Sequence, residues 1–322
     1  MATARRERLD LGRLGYGAAA VGNLYRAVDD ESARRLLEAA WDAGIRYYDT
    51  APHYGLGLSE RRLGEMLRSR PREEFVLSTK VGRLLVPDPE GVGRRDDDLF
   101  EVPADHRRVW DFSESGIRRS LEESLRRLGV VSVDVLYLHD VERSGDAHQA
   151  VDSGVAALAQ MRGEGLVRAI GIGSSDLGAI ERAVRTDAVD LVMLPGRYTL
   201  LEAPAQDVVL PLCEEKGVGI VNVAVFNSGL LATPEPSESS PYEYRQAPAD
   251  KLRRAQELAR ACREVGVELP TAALQFSARH PAVVSVVVGA DTPEQIRQNA
   301  ERMSAPVPDE LWQVLAERGL LP

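Results

Sequence analysis

Four polar side chains that could share acid–base chemistry stand at or just after the ends of short apolar runs. Asp49 ends the run IRYYD and Lys80 ends FVLSTK, while Tyr54 follows the first run in a glycine-rich turn. His139 ends the run VDVLYLH. A carboxylate, a phenol, an ammonium and an imidazole that meet at one place can hold and transfer protons on a substrate oxygen.

The chemistry of Tyr54 depends on its neighbours, because an isolated tyrosine has a pKa of about 10 and is a poor base at neutral pH. Lowering that pKa to about 7 requires about 4 kcal/mol of preference for the phenolate. An ammonium about 4 Å away supplies roughly this free energy at an effective dielectric constant of about 20. We therefore predict that Lys80 lowers the Tyr54 pKa and that Asp49 keeps Lys80 charged. His139 would donate to, or orient, the substrate oxygen.

Each of these residues also has an ordinary structural interpretation. Asp49 could cap a helix, Tyr54 could be a half-buried surface aromatic, and Lys80 could be a solvated strand end. His139 could be a core histidine bonded to a carbonyl group. Their joint placement at successive strand ends is what favours a shared site.

The elements that must position these side chains alternate between short β-branched runs and longer stretches of helical periodicity. This alternation is typical of βαβ units around a parallel sheet. Eight strands are predicted, with the sequences LGYGAAAVG, IRYYDT, FVLSTK, VDVLYLH, AIGIGSS, LVMLP, GIVNVAV and VSVVVG. Helices predicted between them include DESARRLLEAAWDAG, SESGIRRSLEESLRRLG and VAALAQMRGEG. We predict an α/β fold in which residues 1–322 form a single (β/α)8 TIM barrel domain, with the four side chains at one rim.

Two long segments interrupt the alternation, one after the third predicted strand and one after the seventh. They are residues 83–112 and 224–248. Long loops at this rim of a barrel often act as lids. A disordered insertion is the alternative, but aromatic residues weigh against it. These aromatic residues are Phe100, Trp110, Phe112, Tyr242 and Tyr244.

Composition and charge limit the partners of the chain. Its 322 residues are 44% hydrophobic and 28% charged, with a net charge of −10. Such a chain can bury a large core, and its acidic balance argues against nucleic acid as a partner. The charged N-terminal stretch and the lack of a long apolar run predict no membrane contact and a cytoplasmic location.

The cysteines and histidines predict neither a disulfide scaffold nor a metal site. Cys213 and Cys262 lie far apart in helical stretches, so we expect buried structural thiols. The histidines have no paired spacing typical of zinc ligands. They are His53, His106, His139, His148 and His280. A metal-dependent barrel hydrolase is therefore compatible with the fold alone and not with the histidine pattern.

The motifs around the four polar residues closely resemble those of the aldo-keto reductase superfamily. The matching stretches are GIRYYDTAPHYG, VLSTKVG, VDVLYLHD, SLEESLRRLG, GRYTLLE, FNSGLLA, ALQFSARHPAVVSVVVGADTPEQIRQN and LWQVLAERGLLP. The resemblance covers essentially the whole chain and is strongest to a subgroup of aldose and pyridoxal dehydrogenases. It implies a nicotinamide cofactor, NAD or NADP, bound across the barrel mouth without a Rossmann fold. The catalytic tetrad that it implies is Asp49, Tyr54, Lys80 and His139.

The resemblance also implies the cofactor contacts. Ser174 and Ser175 match a serine–asparagine pair that holds the nicotinamide amide, so the asparagine is missing here. Pro195 stands where a glutamine usually makes a similar contact, and FNSGLLA contributes Asn227. The stretch VGADTPEQIRQN implies a phosphate site at a helix start. Its contact residues are Gly289, Ala290, Asp291, Gln295 and Asn299.

The same stretch bears on cofactor preference. Superfamily members that prefer NADP often have a basic residue where Gly289 and Gln295 stand. We therefore predict that NAD is used at least as well as NADP, with Arg297 as the cation that could compensate.

The activity implied by the resemblance is oxidation of an aldose at C1 to its lactone, with Tyr54 as base. The substrate would be a small carbonyl compound or sugar. An aldehyde or ketone reductase acting on a natural product is one alternative. A cofactor-binding regulatory subunit without turnover is another, although the intact tetrad argues against it.

Overall fold

The structure is a computed structural model that describes residues 9–243 and 245–322. The charged N-terminal stretch of residues 1–8 and the loop aromatic Tyr244 lie outside the described residues. The strands of the described residues are, in chain order, β1 (Leu14–Gly17), β2 (Tyr47–Asp49), β3 (Val76–Val81), β4 (Arg83–Pro87), β5 (His106–Trp110), β6 (Val135–His139), β7 (Ala169–Gly173), β8 (Leu191–Pro195), β9 (Gly219–Val223), β10 (Pro241–Tyr242), β11 (Arg245–Gln246) and β12 (Val283–Val288). The α-helices are α1 (Asp30–Asp42), α2 (Leu58–Leu67), α3 (Glu114–Leu128), α4 (Ala147–Gly163), α5 (Leu177–Arg185), α6 (Val209–Lys216), α7 (Ala249–Glu264), α8 (Leu269–Phe276), α9 (Pro293–Ser304) and α10 (Asp309–Glu317).

Eight parallel strands close into a barrel in the order β1, β2, β3, β6, β7, β8, β9 and β12, and β12 pairs with β1. Each predicted strand overlaps one of these eight, so the predicted (β/α)8 barrel is confirmed. The first predicted strand is too long, because β1 ends at Gly17 and the chain then enters a short 3-10 helix (Ala20–Gly22). The alanines of this stretch have weak strand propensity, which explains the early end.

Alternate strand residues fill the barrel interior, because successive side chains project to opposite faces of a sheet. In β2, Tyr47 packs inside the barrel and Tyr48 packs outside against the helices. The interior cluster contains Leu11, Tyr47, Val135, Tyr137, Ala169, Leu191, Met193, Val221 and Val287. The barrel is therefore a packed core, and chemistry must take place at a rim.

Helix boundaries follow local capping. Asp29 accepts a hydrogen bond from the Ser32 amide at the start of α1. Ser113 accepts one from the Gly116 amide at the start of α3. Helix α3 ends at Gly129, whose φ of 67° is a left-handed conformation that glycine adopts without strain.

The two long segments contain secondary structure of their own. β4 and β5 form an antiparallel hairpin within residues 83–112, and β10 pairs with β11 within residues 224–248. Phe100 is buried with Leu56, Leu85 and Val102 beside the rim. Phe100 thus anchors a packed segment, which argues against a disordered insertion at residues 83–112.

The cysteines are buried free thiols, as predicted. Cys213 lies in α6 and Cys262 in α7, and neither forms a disulfide. Burial raises the pKa of each thiol to about 12. Among the helices of residues 9–243 and 245–322, none combines the length and apolarity needed to cross a bilayer.

Candidate active site

The barrel brings the four predicted acid–base residues together at the rim where its strands end. Asp49 is the last residue of β2, His139 is the last of β6, and Lys80 lies one residue before the end of β3. β2, β3 and β6 are neighbours in parallel register, so these ends are aligned. Tyr54 comes from the turn between β2 and α2 and reaches the same rim.

A close backbone contact fixes the turn that carries Tyr54. Gly55 has a φ of 62°, and a Cβ there would lie 2.1 Å from the carbonyl oxygen of Gly22. Only glycine fits this conformation and this approach. The Tyr54 amide also donates to the carbonyl oxygen of Ala51 at 3.1 Å. The phenol is therefore presented by a turn whose shape the two glycines determine.

Lys80 joins the phenol to the carboxylate. Its ammonium donates to the Tyr54 hydroxyl at 2.9 Å, to Asp49 Oδ2 at 2.5 Å and to the Thr50 carbonyl oxygen at 3.0 Å. Ser78 Oγ donates to the other Asp49 oxygen at 2.7 Å. Burial lowers the Lys80 pKa, but Asp49 and Tyr54 outweigh burial and raise the pKa above its ordinary value. Lys80 is thus an ammonium held in one position.

The predicted lowering of the Tyr54 pKa is wrong. Burial raises this pKa, and its effect exceeds the opposing charge of Lys80. The carboxylates of Asp49 and Asp140 raise the pKa further. The Lys80 ammonium is close enough to lower the Tyr54 pKa, but it lies closer to the Asp49 carboxylate than to the Tyr54 hydroxyl. Tyr54 is therefore a protonated phenol at neutral pH in this structure.

His139 is a neutral imidazole beside Tyr54. Burial lowers the His139 pKa well below its ordinary value, and the charges of Arg83 and Lys80 lower it further. The rings of His139 and Tyr54 are nearly perpendicular, with centroids 6.1 Å apart. His139 Nε2 lies 3.7 Å from Asp140 Oδ2. A neutral ring in this position can donate one N–H to an oxygen bound near the Tyr54 hydroxyl.

Further residues lie at this rim that sequence reasoning did not assign to the site. The His53 ring is 5.7 Å from the His139 ring and 5.1 Å from the Phe100 ring. Arg83 pairs with Asp140, the residue that follows His139. The sequence did offer a signal for both residues, namely their closeness along the chain to predicted site residues. His53 precedes Tyr54, and Arg83 begins the hairpin just after β3.

The predicted nicotinamide contacts lie at the same rim, directly after β7. The Ser174 hydroxyl donates to Glu142 Oε2 at 2.6 Å, and the Ser175 hydroxyl donates to Glu142 Oε1 at 2.9 Å. The Ser175 amide also donates to Oε1 at 3.1 Å. Glu142 follows β6 and was missed by sequence reasoning, since nothing in its local pattern marks it. Pro195, which stands in place of a glutamine, ends β8.

Asn227 lies in the long segment after β9, where Glu202 holds it. Asn227 Nδ2 donates to Glu202 Oε1 at 3.2 Å. Tyr242 and Lys251 also donate to Glu202, each at 2.6 Å. Asn227 Oδ1 is buried and has no hydrogen-bond partner among the described residues. A buried acceptor without a partner is suited to receive a hydrogen bond from a polar group of a cofactor.

The predicted phosphate contacts lie where β12 leads into α9. They are Gly289, Ala290, Asp291, Gln295 and Asn299. The Asp291 amide donates to Gln295 Oε1 at 2.7 Å, which closes the turn before the helix. A Cβ at Gly289 would meet only the Gly17 carbonyl oxygen, at 3.8 Å, so the backbone there is open to close approach. Asn299 is buried on the inner side of α9.

Two arginines lie near this end of the barrel mouth. Arg26 Nη2 donates to the Asp291 carbonyl oxygen at 2.9 Å in an exposed position. Arg297 pairs with Glu294 at 2.6 Å on the exposed face of α9. Sequence reasoning considered Arg297 and missed Arg26, because Arg26 reaches Asp291 from the other end of the chain.

A closed parallel barrel with an acid–base cluster at the rim where its strands end defines a (β/α)8-barrel enzyme. In the part of the chain that the structure describes, no three His, Cys, Asp or Glu side chains are grouped to hold a metal ion. The chain belongs to the aldo/keto reductase family, whose model matches residues 13–318. It is therefore an oxidoreductase that acts on small carbonyl compounds with a nicotinamide cofactor.

Comparisons with known proteins agree with this membership. A D-threo-aldose 1-dehydrogenase from Pseudomonas sp. is 55% identical over 311 residues, which cover 96% of this chain and 94% of the relative. A pyridoxal 4-dehydrogenase from Microbacterium luteolum is 39% identical over 331 residues, which cover 98% and 96% of the two chains. An aldo-keto reductase from Bacillus halodurans, solved in its holo form, superposes with a TM-score of 0.75 at 27% identity and covers 96% of this chain and 92% of its own. The resemblance found in the sequence is confirmed.

Proposed function

We propose that this chain oxidises an aldose at C1 to the lactone and that Asp49, Tyr54, Lys80 and His139 carry out the acid–base chemistry. The observation that carries the proposal is the Lys80 ammonium, which donates to both Tyr54 and Asp49 at the barrel rim. The similarity to aldose and pyridoxal dehydrogenases supports a hydroxylated substrate.

Each residue has a defined part in this reaction. When bound, the nicotinamide supplies the hydride acceptor for oxidation or the hydride donor for reduction. Tyr54, as the phenolate, takes the proton of the C1 hydroxyl while the C1 hydrogen leaves with its electron pair as hydride. Lys80 stabilises the negative charge of the phenolate until the proton arrives, and Asp49 keeps Lys80 in place. His139 donates a hydrogen bond to the C1 oxygen and so orients the sugar ring.

We further propose that the cofactor is held at two places along the rim. Ser174, Ser175 and Asn227 contact the nicotinamide side, and the hydrogen bonds to Glu142 pre-orient both serines. The second place is the turn before α9, formed by Gly289, Ala290, Asp291, Gln295 and Asn299. NAD serves at least as well as NADP, since no cation projects from Gly289 or Gln295. Arg26 is the cation best placed to bind a 2′-phosphate if NADP is preferred.

A second candidate function, reduction of an aldehyde or ketone, is favoured by one observation. Burial keeps Tyr54 protonated, and a protonated phenol is the form that gives a proton to a carbonyl oxygen. The same site can thus run in either direction. The order of kcat/KM values across sugars and simple aldehydes decides between the two functions.

The test is an assay of purified protein with NAD⁺ or NADP⁺ and a panel of L-fucose, D-arabinose, L-galactose and pyridoxal. The reverse reaction is followed with simple aldehydes and the reduced cofactors. We expect the highest kcat/KM for an aldose, with NAD⁺ equal to or better than NADP⁺. A kcat/KM higher for simple aldehydes than for every sugar would contradict aldose oxidation. A preference of about tenfold or more for NADP⁺ would contradict the cofactor proposal. No turnover with any compound would instead favour the regulatory subunit.

A further inference from the structure

A buried ion pair adjoins the proposed acid–base residues, and neither of its members is assigned a step of the proton transfer. Arg83 is 1% exposed, and its Nη2 donates to Asp140 Oδ2. The guanidinium carbon lies 4.3 Å from the centre of the Trp110 ring. Two other donors of Arg83, Nε and Nη1, have no hydrogen-bond partner among the described residues. Asp140 is thus paired with a buried guanidinium that uses only part of its hydrogen-bonding capacity.

Asp140 differs from its partner in being partly exposed. Its side chain is 27% exposed, and Oδ1 accepts no hydrogen bond within residues 9–243 and 245–322. Its backbone is left-handed, with φ 46° and ψ 56°, and its amide donates to the Gly173 carbonyl oxygen at 2.8 Å. A non-glycine residue in this conformation is uncommon, and such strain is concentrated at functional positions.

The position of Asp140 relative to His139 defines what it could bind. In the proposed reaction, the C1 oxygen lies within hydrogen-bond reach of His139. Asp140 Oδ2 lies 3.7 Å from His139 Nε2, so the carboxylate adjoins the site of the C1 oxygen. An ionised carboxylate only accepts hydrogen bonds. Next to C1 of a cyclic aldose, the ring oxygen has no hydrogen to give, whereas the C2 hydroxyl has one.

We propose that Asp140 accepts a hydrogen bond from the hydroxyl on the carbon next to the reacting carbon and so selects 2-hydroxy aldehydes and aldoses. Arg83 is a positioning residue, since it keeps the carboxylate oriented beside His139. The inference rests on the proposed function and deepens it by naming the substrate feature that is recognised. A structural alternative is that Asp140 only neutralises the buried Arg83.

The experiment compares pairs of compounds that differ only at C2. D-arabinose is measured against 2-deoxy-D-ribose in the oxidation assay, and glyceraldehyde is measured against 3-hydroxypropanal in the reduction assay. In the wild-type enzyme we expect each hydroxylated compound to have a kcat/KM about tenfold to a hundredfold higher than its deoxy partner, because a hydrogen bond to a charged group is lost. In Asp140→Asn and Asp140→Gly, both ratios fall by about tenfold or more. Glycine is chosen because it tolerates the positive φ.

Matched variants separate recognition from folding. Asp98→Asn removes another rim carboxylate, 3.8 Å from His53 Nδ1, and should leave both ratios at the wild-type value. Arg83→Met should lower both ratios, because Asp140 loses its orientation. If Asp140→Asn lowers kcat/KM equally for both members of each pair, Asp140 only neutralises Arg83 and the inference is overturned.

The two proposals fail in distinguishable ways. An enzyme that oxidises no aldose, yet loses its glyceraldehyde preference in Asp140→Asn, refutes lactone formation and supports the hydroxyl contact. An enzyme that oxidises aldoses without discriminating 2-deoxy-D-ribose supports lactone formation and refutes the contact. An enzyme inactive on all four compounds contradicts both.

Discussion

Lys80 is the residue on which the proposed proton transfer depends. Its ammonium is shared between a phenol and a carboxylate inside a buried site, and it lowers the Tyr54 pKa by less than burial raises it. The balance of burial, Lys80 and Asp49 decides which form of Tyr54 is present. Three predictions test this balance.

Tyr54→Phe should lower kcat by about 10²–10⁴-fold, because it deletes the hydroxyl that carries the proton. Cofactor affinity should stay close to the wild-type value, since no cofactor contact is proposed for this hydroxyl. Steady-state kinetics and a cofactor titration measure the two effects. Tyr48→Phe is the matched control: its hydroxyl donates to the Ile45 carbonyl oxygen, away from Lys80. A Tyr54→Phe enzyme that keeps more than about a tenth of kcat, with a deuteride isotope effect on turnover, would show that Tyr54 is not the proton carrier.

The raised Tyr54 pKa predicts opposite pH profiles for the two directions. Oxidation needs the phenolate, so its kcat/KM should rise about tenfold per pH unit from about pH 6 to 9. Reduction needs the phenol, which is fully protonated over this range, so its profile should be flat. The lowered His139 pKa keeps that ring neutral and adds no titration here. An oxidation rate that levels off near neutral pH would mean that the Tyr54 pKa is lowered in the working enzyme.

Lys80→Met should raise the Tyr54 pKa further, because burial and Asp49 remain while the ammonium is lost. Oxidation measured at neutral pH should therefore fall, and part of the rate should return as pH rises. The variant also leaves Asp49 buried without its cation, which typically costs about 3–5 kcal/mol of folding free energy. Thermal unfolding measures this loss, and the kinetics are normalised to folded protein. A pH profile unchanged in shape would exclude Lys80 as the group that tunes Tyr54.

Hydrogen bonds to two carboxylates join the segments that follow β6, β7, β8 and β9 in pairs, at the part of the rim where we propose that the cofactor binds. Glu142, just after β6, accepts hydrogen bonds from both serines after β7. Glu202, in the segment after β8, accepts hydrogen bonds from Asn227 and Tyr242, which lie in the segment after β9. Each carboxylate accepts hydrogen bonds from a neighbouring segment, so it fixes side chains there that would otherwise rotate.

Glu142→Ala should weaken cofactor binding by about tenfold, because Ser174 and Ser175 lose their common acceptor and must be ordered on binding. The effect on kcat should be smaller, since the acid–base residues are unchanged. Isothermal titration with NAD⁺ measures the affinity. Glu142→Gln keeps an acceptor, so its affinity for NAD⁺ should lie between those of Glu142→Ala and the wild type. Glu181→Ala, which removes a surface carboxylate paired with Arg185, is the control and should bind like the wild type. Equal affinity in Glu142→Ala would show that the serines do not hold the cofactor.

The barrel as a whole depends on close helix packing around the strands. A Cβ at Gly64 in α2 would lie 2.0 Å from the Leu128 carbonyl oxygen at the end of α3. Gly64 and the Leu128 carbonyl group both belong to the backbones of packed helices, so neither can move alone. The ring of helices therefore permits only glycine at this contact.

Gly64→Ala should destabilise the protein by about 3 kcal/mol or more, because the helices must separate to admit the methyl group. Gly163→Ala is the matched control, since Gly163 lies at the end of α4 with no atom within 4 Å of the added Cβ. That control should be neutral or stabilising by about 0.4–1 kcal/mol. Urea denaturation measures both values. Equal stability of the two variants would exclude a rigid contact between α2 and α3.

Local patterns in the sequence determined the barrel and the rim. Strand periodicity, capping residues and strand-end polar side chains depend on neighbours a few residues away, so they are readable without coordinates. Asp49, Lys80 and His139 were placed in this way, and Tyr54 was placed in the turn after the second strand. The family resemblance then matched all four residues to a catalytic tetrad.

Only the tertiary structure decided the chemistry of the site. The Tyr54 pKa rises because burial outweighs Lys80, and burial is a property of the packed fold. Glu142 meets Ser174 across 32 positions, and Arg83 meets Asp140 across 57. The physical reason is that desolvation and pairing free energies depend on distance in space, whereas sequence patterns record distance along the chain.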